Sequence, residues 1–159
     1  MYVGGPDRAP PRTRMSLTLA QATTIVGSAL EKGRAMGCAP LTVAVLDAGG
    51  HLKALAREDA SGILRPQIAM GKAWGALGMG LGSRAFARRI AEQPGAPSFF
   101  NALAAMSEGR VVPVPGGVLI RDGAKAVIGA VGISGDTSDQ DEVCALAGIA
   151  AAGLVGDTG

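Results

Sequence analysis

The sequence predicts an α/β domain of the α+β kind, with a mainly antiparallel central sheet of about five strands covered by helices. Three observations carry this. Ala48-Gly49-Gly50 and Asp122-Gly123 each lie between short alternating apolar runs, which is the signature of a hairpin. Helical spacing of apolar residues occurs near both ends and in the middle of the chain, so helices from both ends must cover the sheet. The 159 residues suit one core, and no repeat or second domain is visible.

Ser16 is an N-cap before a helix running to Met36, with Leu19, Val26, Leu30 and Gly33 on one face and Gly37 and Pro40 as the stop. Leu41 to Asp47 reads as a strand. After the glycine turn, His51 to Arg57 reads as its partner, with Leu52, Ala54 and Ala56 on one side. Ile63 to about Leu81 is a helix with Pro66 in its first turn, weakened by its glycines, of which the last three mark fraying or a loop. Ala85 to Glu92 is a short helix closed by Pro94-Gly95, and Phe99 to Met106 is another. Val111 to Pro115 is an edge strand or a lead-in, because its prolines remove ladder donors. Val118 to Arg121 and Ala126 to Ser134 form the second hairpin. Thr137 or Ser138 caps a last helix, acids crowd its first turn, and Val143, Ala147, Ala150 and Leu154 form its stripe. Residues 1–15 read as a flexible leader before a domain at 16–159, with Met15 an alternative start.

Composition removes several function classes. A 48% hydrophobic, 18% charged chain is not disordered. Its net charge of +2 and 3% aromatic content predict no nucleic-acid partner. The 25 glycines follow no collagen period. Cys38, Cys144 and one histidine cannot make a common zinc site, and the cysteines read as small buried apolar residues, with a disulfide left open. No run is long enough for a membrane span and no secretory signal is visible, so a cytoplasmic protein is expected. The glycine pairs fit neither phosphate-loop pattern.

The segments LTVAVLDAGGHLKALAREDAS, IAMGKAWGAL and PSFFNALAAMSEGRVVPVPGGVLIRDGAKAVIGAVGISGDTSDQDEVCALAGIAA occur in the order and spacing of a known family. Over about Leu17 to Leu154 the chain resembles the GlcG/HbpS-like haem-binding (haem-degrading) family, which includes the C-terminal domain of PduO-type proteins. The resemblance implies a three-layer, profilin-like or PAS/GAF-like sandwich. It also implies self-association, often as octamers, and ligands such as haem, with some members acting beside cobalamin metabolism.

Candidate ligand residues follow. His51, the only histidine, is a candidate axial ligand and metal donor, since haem iron takes His, Cys, Met or Tyr; its place after a glycine turn also suits a structural residue. Lys72 is a candidate clamp for a ligand carboxylate, or a snorkelling cation. Arg57 and Arg110 are further candidates, against solvated charge. Phe99 and Phe100 are candidate pocket walls, or anchors to the core. Asp136, Asp139, Asp141 and Glu142 could hold a hard cation, or serve helix capping. The expected function is a homo-oligomeric binder of haem or another tetrapyrrole. The alternative is an enzyme or accessory factor handling an organic acid or cobalamin-related molecule, with Asp47, His51 and Lys72 as acid/base or clamping groups.

Overall fold

Thr18 opens the first helix through a reciprocal cap. Its hydroxyl accepts from the Gln21 N–H, and the Gln21 side chain accepts from the Thr18 N–H. The cap is therefore Thr18 and not Ser16, because only Thr18 has Gln three residues on. The computed structural model describes residues 16–159, so the leader and Met15 lie outside the described residues.

The elements run α1 (Leu19–Ala35), β1 (Thr42–Asp47), β2 (Leu52–Arg57), α2 (Arg65–Met79), α3 (Ser83–Glu92), α4 (Ala96–Met106), β3 (Gly117–Arg121), β4 (Val127–Ser134), α5 (Ser138–Ala151) and β5 (Val155–Asp157). The sheet is antiparallel throughout, in the order β2-β1-β4-β3-β5. The fifth strand is C-terminal. Val111–Pro115 is instead an extended lead-in lying across α2, where Val112 N–H donates to the Gly71 carbonyl.

One face of the sheet carries the main core. Val43, Val45, Val118, Ile120, Val131 and Ile133 meet α1 and α5 there. Burying each such side chain is worth about 1.5–3 kcal/mol. The expected α1 stripe holds at Val26, Leu30 and Gly33 but not at Leu19, and the expected α5 stripe is rotated. Leu19 is 60% exposed and Val143 42%, while Ala22, Ile25, Ala29, Cys144, Ala145 and Ile149 are buried. The helices here pack through small residues, which a search for large apolar spacing misses.

On the other face α2 sets Ala73 and Ala76 against Leu46, Leu119 and Ala130. Its backbone presses onto Gly132, where a Cβ would stand 1.7 Å from the Ala69 carbonyl oxygen. Gly78 stays helical, whereas Gly80 adopts the left-handed C-cap (φ 66°). A register shift between Val45 and Leu46 turns Leu52 to the α2 side. The α3–α4 pair builds a satellite cluster of Ala85, Phe86, Ala96 and Phe100.

Candidate functional site

The α2 face leaves an open groove of about 410 Å³ at one end. Leu46 and Leu52 from the first hairpin and Met70 and Trp74 from α2 wall it, and Glu108 and Arg110 close it from the segment after α4. Met70 and Trp74 are four residues apart and share one helix face. The Arg110 guanidinium sits 4.6 Å over the Trp74 ring, a cation–π stack, and its Nε donates to the Ser107 carbonyl at 3.0 Å. Glu108 holds a left-handed conformation (φ 55°), uncommon for a residue with a side chain, which turns the chain toward Arg110.

Beyond the Gly49-Gly50 turn lies a second cleft of about 250 Å³, lined by Leu17, Asp47, His51, Val127 and Ile128. Asp47 Oδ1 accepts the Gly49 and His51 N–H groups and stands 3.3 Å from His51 Nδ1. Burial works to raise the Asp47 pKa, but these donors and the His51 ring outweigh it and hold it below the usual carboxylate value. The His51 side chain is 82% exposed.

Lys72 faces neither cleft. Its ammonium is 3% exposed and donates to Asp141 Oδ2 at 2.9 Å, clasping α2 to the start of α5. Burial pushes the Lys72 pKa down and the Asp141 pKa up, each against the attraction of the other charge.

Residues 17–150 match the family described as haem degrading protein HbpS-like. The chain belongs to the HbpS-like haem-degrading family. Among solved structures, the PduOC:haem complex is 26% identical with a TM-score of 0.78, over 88% of this chain and 97% of that one. Klebsiella pneumoniae protein ORFY is 25% identical with a TM-score of 0.78, over 92% and 98%. A double mutant of Streptomyces reticuli HbpS is 25% identical with a TM-score of 0.71, over 94% and 97%. No curated protein matches the chain.

Within this HbpS-like fold the sequence-predicted site residues do not converge. Arg110 reaches the groove, His51 the second cleft, and Lys72 the interior. Phe100 packs on Phe86 in a tilted pair with ring centroids 5.3 Å apart, and Phe99 meets Phe100 edge-on at 5.4 Å. Both Phe99 and Phe100 border a separate hollow of about 240 Å³ beside Arg89. Arg57 donates to the Ser61 carbonyl.

The acid cluster does not form a cation site, because each carboxylate has another partner. Asp141 holds Lys72, Asp139 and Glu142 grip Arg84, and Asp136 accepts the Ala39 and Thr137 N–H groups. Among the described residues no group of three metal-donor side chains gathers. Cys38 and Cys144 are free thiols. Burial pushes Cys144 up to about 12 and also raises Cys38, so both stay protonated. Among the described residues no helix is long and apolar enough to cross a membrane.

Trp74, Met70, Leu46 and Leu52 are not among the site residues that the sequence predicts. The available signal was a lone Trp one helical turn after Met70, within a run of small residues.

Proposed function

We propose that this HbpS-like chain binds haem or a related tetrapyrrole in the Trp74 groove. The observation that carries the reading is the groove itself: apolar walls of Leu46, Leu52, Met70 and Trp74 with one stacked guanidinium at the rim. A flat macrocycle with carboxylate arms needs that combination, and the volume lies within the range of small-molecule pockets. Arg110 would meet a propionate by a charge-assisted hydrogen bond. His51, Lys72, Phe99 and Phe100 would act outside the groove, with Lys72 holding α2 in place. The similarity to the PduOC:haem complex supports the ligand class.

Self-association, including an octamer, belongs to the same proposal. Ile63, Leu64 and Leu55 are exposed apolar side chains available for it, at 87%, 66% and 37%. The compartment proposed is the cytoplasm.

Haemin titration tests the reading. The protein should show a saturable Soret shift, and Arg110→Ala should weaken binding about tenfold, or roughly 1.4 kcal/mol. A folded protein with no saturable shift would sink it. A second reading has one observation in its favour, the Asp47–His51 pair beside the smaller cleft. It is an enzyme or accessory factor taking a small organic acid, with His51 as general base oriented by Asp47. Indifference to haemin, with melting temperature raised by small carboxylates in the parent but not in His51→Ala, would favour it.

A further inference from the structure

We infer that Met70, and not His51, supplies the protein ligand to haem iron in the Trp74 groove. This rests on the haem reading above. Haem iron takes its axial ligands from His, Cys, Met and Tyr. Among the described residues of those types, Met70 alone lines the groove. His51 lines the neighbouring cleft across the glycine turn, with its Nδ1 beside Asp47. Cys38 and Cys144 belong to the core on the opposite face of the sheet. Tyr2, the one tyrosine, lies outside the described residues.

Local structure favours Met70 independently of this elimination. It is half-buried and stands one helical turn from Trp74, so thioether and indole share the α2 face that borders the groove. The backbone beneath it is fixed. At Gly71 a Cβ would stand 2.6 Å from Val112, and the Gly71 carbonyl accepts the Val112 N–H. The side chain above that rigid base is unbranched with three rotatable bonds, so its sulfur has reach. Glu108 is the groove's carboxylate, a donor type outside the common haem set.

Haem bound through a thioether has a raised reduction potential, because soft sulfur favours the ferrous state. The protein loaded with haemin should have a higher midpoint potential than Met70→Leu. Met70→Leu keeps the apolar volume, so it should bind haemin within about threefold of the parent while shifting the Soret maximum and lowering the potential. Met70→His should also bind haemin with a lower midpoint potential than the parent. His51→Ala should retain the parent's spectrum and potential. The inference is overturned if Met70→Leu leaves the spectrum unchanged, or if His51→Ala abolishes the axial signature. Failure of the haem reading itself looks different: neither the parent nor any variant gives a saturable Soret shift, and the Met70 assignment falls with it. Circular dichroism of each variant confirms the fold.

Discussion

On one face of the sheet, α1 and α5 meet Val and Ile side chains; on the other, α2 lies on glycine and alanine. The first face is filled by volume, and its core is continuous. The second is closed by backbone proximity, with the Ala69 and Lys72 carbonyls against Gly132 and Gly117. Close approach leaves no room for large strand side chains under the middle of α2. Where the strands carry Leu46 and Leu52 and the helix carries Trp74, the layers part and the groove opens. The face with the smaller side chains is therefore the one with room for a ligand at its end.

The sharpest way to break this contrast is to put a side chain at Gly132. Gly132→Val should cost more than about 4 kcal/mol, enough to remove most of a domain's stability, because backbone cannot yield as a side-chain tip does. Gly27 is the matched control. It is an exposed position of α1 with nothing within 4 Å of a Cβ, so Gly27→Ala should stabilise by about 0.5–1 kcal/mol. Urea unfolding and soluble yield measure both. A folded Gly132→Val with parent-like stability would show that α2 does not lie on the sheet in this way.

The Lys72–Asp141 clasp is the next test, since it joins the covering helices of the two faces. Lys72→Met leaves a buried carboxylate without its cation and should cost about 3–5 kcal/mol. Asp141→Asn added to it removes that charge while keeping an acceptor for the Asp136 N–H, so the double variant should be more stable than Lys72→Met alone. Chemical denaturation of the three proteins decides it. A Lys72→Met loss below about 1 kcal/mol would mean the pair is no clasp.

The same contrast accounts for what was legible in the sequence. The two glycine turns announced both hairpins, and Thr137 announced the last helix, because those signals are local. The α1 stripe is legible through Val26, Leu30 and Gly33, with Leu19 the exception, whereas the α5 stripe is not, because Cys144, Ala145 and Gly148 make up most of its buried face and look neutral to a rule tuned to large residues. The short edge strand β5 escaped because three residues carry no period. Lys72 looked like a ligand clamp because its partner Asp141 lies 69 residues away. The groove was hidden for the same reason: its walls come from β1, β2, α2 and the segment before β3, and only topology brings them together.

The smallest expected effect concerns the charge that ties the α1 exit to α5. Asp136 accepts the Ala39 N–H at 2.7 Å and the Thr137 N–H at 2.7 Å, and these donors hold its pKa below the ordinary 3.8. A carboxylate whose folded pKa is depressed adds stability above its unfolded value and loses it as pH falls through the folded one. Asp136→Asn keeps one acceptor oxygen and removes the charge. Its melting temperature should therefore lie slightly below the parent's at neutral pH, and the gap should start to close below about pH 4, as the unfolded state takes up the proton, and vanish only as pH falls through the lower folded value. Melting curves at several pH values between 7 and 3 measure that gap. A gap that widens on acidification would mean Asp136 is not stabilised as the charged form in the fold, and that the α1 exit is held to α5 by other contacts, such as the Cys38–Gln140 hydrogen bond.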